Sequence, residues 1–208
     1  MSTSFESTRP TTPTLMPLAP IPFDPGLSDL GQPLMQILNK RKSTHEFSDR
    51  NLSMDTLSHL LWAAFGINRS DGMHHTAPTA ENAQEIDIYV ALEQGLYLFD
   101  PAAFELAPVV MDDIRAATGW QDFVAHVPVN LIYVADLAKM YDAPRREQKF
   151  YAALDTGFIS QNVYLFCAAQ GLATVARGWV DRPALAKIMQ LGPEQRIILA
   201  QSVGYPQD

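Results

Sequence analysis

Three short segments of the sequence combine residue types that could hold an anionic or a flat organic ligand. The first follows a helical pattern and contains Arg41, Lys42, Ser43 and His45 within five residues. Arginine can grip phosphate oxygens with two parallel hydrogen bonds, and a nearby serine hydroxyl can donate to the same group or to a polyol. Taken alone, this segment also fits a solvated basic helix end, which the negative pole of the helix dipole stabilises.

The second segment, residues 76–84, is built from small and amide side chains. Pro78, Thr79 and Ala80 let the backbone approach a flat ligand. Asn82 offers an amide donor and an amide acceptor. An ordinary capped turn explains the same residues equally well, so this segment gains meaning only in combination with the others.

The third segment, residues 171–178, connects an apolar helical stretch to a strand-like one. It ends with Ala176, Arg177 and Gly178, and a glycine there permits close approach of the backbone to a ligand. The alternative interpretation is a helix C-cap followed by a plain strand.

Several other chemistries lack the residues that they need. Cys167 is the single cysteine, so an intrachain disulfide is excluded and the cysteine patterns of zinc sites are absent. The five histidines are scattered, apart from His74 and His75, so we predict no metal site. The sequence contains no Gly-x-Gly-x-x-Gly, Walker A or Gly-x-Ser-x-Gly motif, which argues against a dinucleotide fold, a P-loop enzyme and a serine hydrolase.

The overall composition of the chain argues against some classes of binding partner. The net charge of −8 provides no general attraction for nucleic acid or anionic membranes, so neither is expected as a partner. No apolar run reaches the ~20 residues that span a bilayer, and the N-terminus has no basic start followed by an apolar segment. We therefore expect a cytoplasmic protein, while a signal trimmed from the chain stays an open alternative.

The elements that position these segments follow from periodicity and capping residues. Helical patterns cover five stretches: 32–41, 53–65, 108–117, 150–170 and 182–190. Strand patterns cover five more, of which the first two form a hairpin and the third is a central strand: 86–92, 96–99, 129–135, 174–180 and 196–203. Helices and hairpins are mixed rather than strictly alternating, which predicts an α+β fold.

Three stretches indicate how the domain is bounded and assembled. Residues 1–25 carry repeated prolines and are neither helix nor central strand, so they form either a disordered tail or an extended arm. Residues 26–208 make one domain, in which the polar stretch 66–85 is long enough to be a functional loop. The helix at 150–170 is apolar nearly all round and needs burial on several sides, for which a subunit interface is suited.

In this order and at these separations, the three segments resemble the signatures of the nitroreductase family of FMN flavoproteins. They are similar to its Arg-Arg-Ser-x-Arg-x-Phe motif, its Pro-Ser-Ser-x-Asn-x-Gln loop and its Gly-Leu-Gly turn before a strand. The resemblance covers residues 33–206, and the stretch 60–100 is most similar to the branch that includes peptide azoline dehydrogenases. Further matches lie in the later helix and near the C-terminus: Asp155-x-Gly157, Gln161-Asn162 and Val203-Gly204-Tyr205-Pro206.

The resemblance implies an α+β, nitroreductase-like fold with a central, mainly antiparallel sheet flanked by helices. It also implies an intertwined homodimer with FMN at the subunit interface, NADH or NADPH as electron donor and a small-molecule electron acceptor. The expected activity is FMN-dependent, ping-pong reduction of nitroaromatics, quinones or similar acceptors. The flavin carries the hydride in such a reaction, so no side chain is expected to serve as a catalytic acid or base.

By their place in the motifs, residues of all three segments are implied in binding the cofactor. The first segment takes the phosphate and ribityl chain, the second covers one flavin face from the partner subunit, and the backbone of the third faces flavin N5 and O4. Gln121 is a further polar position that can reach the flavin. The residues implied are Arg41, Lys42, Ser43, His45, Pro78, Thr79, Ala80, Asn82, Gln121, Ala176, Arg177 and Gly178.

The sequence departs from the family pattern in two places, and two alternative functions remain open. His45 stands where a permanently charged residue is usual, and histidine is only partly charged at neutral pH. The stretch 137–150 is short compared with relatives that carry a helical lid there, which predicts an open substrate pocket. Two other functions remain compatible with the sequence: a flavin dehydrogenase of a peptide heterocycle or other metabolite, and a flavin-binding protein without turnover.

Overall fold

A computed structural model describes residues 19–23 and 31–207 of the chain. Seven strands form one sheet: β1 (Ile21–Pro22), β2 (Ile86–Leu92), β3 (Gly95–Asp100), β4 (Glu105–Val110), β5 (Val129–Asp136), β6 (Ala173–Arg177) and β7 (Gln195–Gly204). The α-helices are α1 (Leu34–Lys40), α2 (Met54–Phe65), α3 (Arg145–Gln170) and α4 (Arg182–Ile188). Short 3-10 turns cover Ala80–Asn82, Arg115–Thr118, Asp122–Ala125 and Leu137–Met140.

The strands follow the order β1-β4-β3-β2-β5-β7-β6, and each neighbouring pair is antiparallel. β5 lies between β2 and β7 and is buried up to its last residue, Asp136. This confirms the central strand that its continuous apolar run predicts. The α+β class and the antiparallel sheet are confirmed with it.

Apolar side chains fill both faces of the sheet. On one face, α2 and α3 pack against the central strands through a cluster that includes Leu61, Ile159 and Leu131. On the opposite face, α4 packs through Leu185 against Ile132 and its neighbours. Each side chain of this size contributes roughly 1.5–3 kcal/mol when it is fully buried. The two clusters thus fix the helices against the sheet that carries the candidate site.

Capping residues set the helix ends close to the predicted positions. Ser53 Oγ accepts a hydrogen bond from the Thr56 N–H at 3.1 Å where α2 begins. α3 ends at Gly171, whose φ of 69° is the left-handed conformation that glycine adopts without strain. The same helix begins at Arg145, earlier than the predicted residue 150. The turn at Gly171 leads the chain directly into β6.

The helix predicted over 108–117 is wrong. Residues 105–110 form β4, and the 3-10 turn at Arg115–Thr118 follows it. The β-branched Val109 and Val110 favour a strand over a helix. Pro108 is tolerated because β1 pairs with Leu106 and Glu105 and does not extend further along β4. The strand predicted over 174–180 also differs, because β6 ends at Arg177.

Part of the proline-rich N-terminal stretch lies against the domain. Ile21 pairs with Leu106 at the sheet edge, and the Phe23 N–H donates to the Phe104 carbonyl at 3.0 Å. The rest of residues 1–25, and with it the choice between tail and arm, lies outside the described residues. No helix within residues 19–23 and 31–207 is long and apolar enough to cross a membrane.

Candidate functional site

The first and third segments lie side by side at the end of β6. The Thr44 N–H donates to the Thr174 carbonyl at 3.0 Å. Tyr164, on α3, accepts a hydrogen bond from the Ala176 N–H at 2.9 Å, and its hydroxyl lies 2.9 Å from Ser43 Oγ. Because the Tyr164 oxygen accepts from Ala176, its own hydrogen can be donated to Ser43. We refer to this chain of contacts from Ser43 through Tyr164 to Ala176 as the hydroxyl bridge.

Sequence reasoning did not find Tyr164. The residue lies in a helix that looks apolar nearly all round, and its role depends on two segments that are distant in the chain. The available signal was the run of polar side chains near it, Gln161 and Asn162, inside that apolar helix. Asn162 Nδ2 lies 3.4 Å from the carbonyls of Ala64 and Thr76, so it holds α3 against the long loop.

Basic side chains surround the hydroxyl bridge. The Arg41 guanidinium lies 5.5 Å from the centre of the Tyr164 ring, a cation–π contact that positions the charge. Lys40 and Lys42 line a cavity of about 390 Å³ together with Thr44 and Tyr164. No carboxylate of the described residues lines this cavity. The cavity is therefore suited to an anionic group.

The Arg177 side chain has a structural role that the sequence did not reveal. It is only 4% exposed and its guanidinium donates to neutral acceptors on three elements. These acceptors are Ser202 Oγ at 3.1 Å, the Thr118 carbonyl at 2.9 Å and Asn130 Oδ1 at 2.9 Å. Burial lowers the pKa of Arg177 to about 10, so the side chain remains charged at neutral pH. A charged group buried this way fixes β6, β5 and β7 to the 115–118 turn.

The same guanidinium brings Gln121 to the site. Gln121 Oε1 lies 3.4 Å from Arg177 Nη1, a long hydrogen bond. A Cβ atom added at Gly119 would overlap the Arg177 guanidinium, so a larger residue there would have to displace that buried group. In the next 3-10 turn, Asp122–Ala125, the Phe123 ring contacts the His45 ring edge to face, with the ring centres 6.0 Å apart. Gln121 and Phe123 thus contact the third and the first segment, respectively.

Gly178 occupies an open edge beyond β6. It is exposed, and a Cβ added there would meet no described atom within 4 Å. Two tryptophans flank this edge. The backbone N–H of Trp120 donates to the backbone carbonyl of Trp179 at 3.3 Å, and both side chains are exposed. The described part of the fold therefore does not require glycine at 178.

The second segment lies away from the other two within one chain. The Ala80 N–H donates to Asp155 Oδ2 at 2.8 Å. Asp155 and Tyr164 both lie on α3, separated by ~14 Å of helix axis. The amides of Asn82 and Gln84 donate to the Met73 carbonyl, at 3.1 Å and 2.6 Å. The structure of one chain therefore does not bring Pro78, Thr79, Ala80 and Asn82 together with the first and third segments.

A second cavity lies beside this loop. Its volume is about 570 Å³, and its lining includes Ala80, Glu81, Tyr141 and Tyr151. Leu137–Met140 is a single 3-10 turn and α3 begins soon after it, so the connection is short, as the sequence indicates.

A model of the nitroreductase family matches residues 38–205, which include all three segments. The chain belongs to the nitroreductase family. The family match agrees with the resemblance of the motifs. It shows that the chain is an enzyme of an oxidoreductase family.

Relatives and solved structures support this membership. A nitroreductase-like protein of Methanocaldococcus jannaschii is 29% identical over 155 residues, which are 70% of this chain and 78% of that protein. The crystal structure of a nitroreductase-like protein from Ralstonia eutropha JMP134 is 40% identical, with a TM-score of 0.86 over 91% of this chain and 90% of that one. The Escherichia coli microcin synthetase McbBCD complex shares the fold at 20% identity, with a TM-score of 0.72 over 89% and 77% of the two chains.

Proposed function

We propose that this nitroreductase-family chain binds FMN at the surface formed by residues 41–45, Gln121 and residues 176–178. NADH or NADPH supplies the electrons, and a nitroaromatic, a quinone or a similar small molecule accepts them in a ping-pong cycle. The observation that carries the proposal is the hydroxyl bridge, which joins two of the three segments that resemble the family's flavin motifs.

The first segment fits the phosphate and ribityl chain of FMN. Lys42 lines a basic cavity that no described carboxylate lines, and Arg41 lies over the ring of Tyr164, which lines the same cavity. With Ser43 Oγ accepting from Tyr164, the hydrogen of the Ser43 hydroxyl can be donated to a phosphate or polyol oxygen. His45 adds a ring nitrogen at the same edge. These residues bind and orient the cofactor.

The third segment fits the edge of the flavin ring. The Ala176 N–H already donates to Tyr164, and Arg177 pairs with Ala200 of β7, which leaves the backbone N–H of Gly178 as the group of this segment best placed to meet the ring. The open space at Gly178 lets a flat group approach the backbone closely. When bound, FMN accepts a hydride and passes it to the second substrate. The residues of the chain position the ring for this transfer, and none needs to act as an acid or base.

The second segment completes the site from a partner subunit of a homodimer. Helices α1 and α3 expose large apolar side chains that a second copy of the chain would cover: Leu34, Met35, Leu38, Phe150, Leu154 and Phe158. The ~14 Å between Asp155 and Tyr164 along α3 separates the loop of one chain from its own first and third segments, which supports a loop contributed by the partner. The partner subunit's loop then covers one flavin face.

Access for the acceptor is consistent with aromatic substrates. Trp120 and Trp179 present exposed rings beside Gly178, and flat aromatic molecules pack favourably on such rings. In the other part of the proposed site, the short connection after Leu137–Met140 borders the cavity beside the 78–84 loop. A closed and narrow pocket in the dimer would argue against this part of the proposal.

A second candidate function is dehydrogenation of a peptide heterocycle or another metabolite. The fold likeness to a chain of the microcin synthetase complex favours keeping it, although a likeness at 20% identity concerns the fold alone. In this alternative the same FMN site receives electrons from the substrate rather than from a nicotinamide.

An anaerobic titration separates these functions. The flavin-loaded protein is mixed with NADH or NADPH, and its visible absorption is followed before and after a quinone or nitroaromatic is added. Bleaching by a nicotinamide and recovery with the acceptor support the reductase. Bleaching by neither nicotinamide contradicts it and favours the dehydrogenase or a flavin-binding protein without turnover.

A further inference from the structure

Residues 66–75, which precede the second segment, take no part in the proposed flavin site. They fold back on themselves, because Ile67 and His75 pair as an antiparallel bridge. With β2, the end of β3 and the turn after it, they border a third cavity, whose volume is about 210 Å³. None of the residues proposed to bind FMN lines this cavity. A ligand here would thus occupy a site of its own.

The walls of this cavity are mainly apolar. Four of the wall residues belong to the core cluster that packs α2 against the sheet: Phe65, Ile86, Ile88 and Phe99. None of the four is more than 4% exposed. An apolar cavity of about 150 Å³ is large enough to hold a benzene molecule, whereas pockets for drug-sized ligands measure roughly 300–1,000 Å³. The cavity therefore has room for one substituted aromatic ring.

His75 also lines the cavity, and one of its ring nitrogens is left as a hydrogen-bond acceptor. Its Nδ1 lies 2.7 Å from the Phe65 carbonyl oxygen. A carbonyl oxygen only accepts, so Nδ1 carries the hydrogen and Nε2 of the neutral ring is the acceptor. The ring is stacked on Phe65, with the ring centres 4.2 Å apart and the planes inclined by 24°. These two contacts fix both the tautomer and the orientation of the imidazole.

The other polar side chains at this cavity already have partners. Lys139 Nζ donates to Asp87 Oδ1 at 2.9 Å and to the Gln84 carbonyl at 3.1 Å. The Gln84 amide donates to the Met73 carbonyl at 2.6 Å. Because Lys139 and Asp87 form an ion pair, the cavity carries no net charge when His75 is neutral. A fitting ligand is therefore uncharged, mostly apolar and able to donate one hydrogen bond.

We propose that this cavity, which we call the His75 cavity, binds a single-ring phenol. The aromatic ring packs among the apolar walls, and the phenol hydroxyl donates to His75 Nε2. Gln84 belongs both to the lining of the His75 cavity and to the second segment, so an occupant contacts the loop that the proposed function places over the partner subunit's flavin. The binding of a phenol does not itself rest on the proposed function.

A pair of probes tests the hydrogen bond to His75. 4-Fluorophenol and fluorobenzene differ only by the hydroxyl group, and fluorine NMR titration of the full chain gives both dissociation constants. The affinity ratio of 4-fluorophenol to fluorobenzene should fall roughly fivefold from the wild type to His75→Phe, the scale of one net hydrogen bond. His74→Phe makes the same change at a neighbour that does not line the cavity, and it should keep the wild-type ratio. Equal ratios in the wild type and His75→Phe would overturn the proposal.

Nitrogen NMR of the histidine side chains tests the same contact without a variant, which matters if His75→Phe fails to fold. In the wild type, the Nε2 resonance of His75 should shift when 4-fluorophenol is added and should shift much less with fluorobenzene. An Nε2 resonance that ignores saturating 4-fluorophenol contradicts the proposal.

A second pair of variants tests the location of the probe. Ala102 lines the cavity and Ala103 does not, both are exposed, and the backbone N–H groups of both donate to Asp100 Oδ1. Ala102→Leu should weaken 4-fluorophenol binding at least fivefold, while Ala103→Leu leaves it unchanged and both keep the wild-type Tm. Unchanged binding in Ala102→Leu would place the probe elsewhere, the flavin surface included, and would overturn the proposal. A protein that retains no FMN but binds 4-fluorophenol at His75 would contradict the proposed function alone.

Discussion

At the scale of single residues, the side chains of Arg41 and Arg177 have different roles. Arg41 lies over the Tyr164 ring, and its guanidinium pairs with no carboxylate of the described residues. The Arg177 charge is buried and serves the fold. Sequence reasoning assigned the Arg41 side chain and the Arg177 backbone to the cofactor. It did not reveal the structural role of the Arg177 side chain, because a motif does not show in which direction a side chain points.

Replacing Arg41 by alanine tests the phosphate contact. We expect FMN binding to weaken by about 1.5–3 kcal/mol, the scale of a hydrogen bond to a charged group. Arg196→Ala is the matched control, since Arg196 lies near the start of β7, where it pairs with Ala135, remote from the end that pairs with β6. Isothermal titration calorimetry measures both. Unchanged affinity in Arg41→Ala would return this residue to the role of a solvated helix end.

Two glycine substitutions separate ligand binding from folding. Gly178→Ala should leave the Tm of the FMN-free protein unchanged, because the added Cβ meets no described atom, and should weaken FMN binding. Gly119→Ala should lower the free energy of unfolding by about 1–3 kcal/mol, because its Cβ overlaps the Arg177 guanidinium. Calorimetry of both variants gives the two quantities. Full FMN affinity in Gly178→Ala would mean that the flavin does not approach this edge.

At the scale of elements, α3 organises the site. Its C-terminal half places Tyr164 between the first and third segments, and its N-terminal half places Asp155 under the loop. The sequence predicted this helix, the hairpin β2–β3 and the central strand β5, because long apolar patterns and caps are local signals. It did not predict β4, although β4 pairs with the neighbouring strand β3, because Pro108 interrupts a strand of only six residues. It did not predict Tyr164, because the hydroxyl bridge depends on contacts between distant segments.

Removing the phenol of Tyr164 tests the hydroxyl bridge. Tyr164→Phe should lower the free energy of unfolding by about 1 kcal/mol, as one hydrogen-bonded group is lost, and should also weaken FMN binding. The control is Tyr133→Phe, which removes a buried hydroxyl that donates to Gln201 Oε1 at 2.7 Å. Urea denaturation and FMN titration together decide the case. A loss of stability alone, equal in both variants, would contradict a role of Tyr164 in the site.

At the scale of the whole molecule, the proposed site requires two copies of the chain. The three segments are consecutive signals in the sequence, yet the structure of one chain unites only the first and the third. The 78–84 loop lies beside the N-terminal half of α3, next to the exposed apolar face that the proposed dimer covers. The apolar pattern of residues 150–170 indicated this exposed face of α3. It did not indicate what covers the face, because an apolar helix surface does not identify its partner.

A charge on this face should disrupt the dimer. Leu154 on α3 is 43% exposed and Met111 is 42% exposed beyond the end of β4, so Leu154→Glu and Met111→Glu are matched in exposure. Analytical ultracentrifugation should show a monomer for the first and a dimer for the second, with FMN binding weakened at least tenfold in Leu154→Glu alone. A dimeric Leu154→Glu protein would show that another surface forms the interface.

The FMN content of the purified protein tests the central claim most directly. The protein is isolated without added cofactor, incubated with FMN, desalted and denatured, and the released flavin is quantified by chromatography and absorbance. The account predicts a yellow protein that releases one FMN per chain. A colourless protein that retains no FMN after incubation would contradict it.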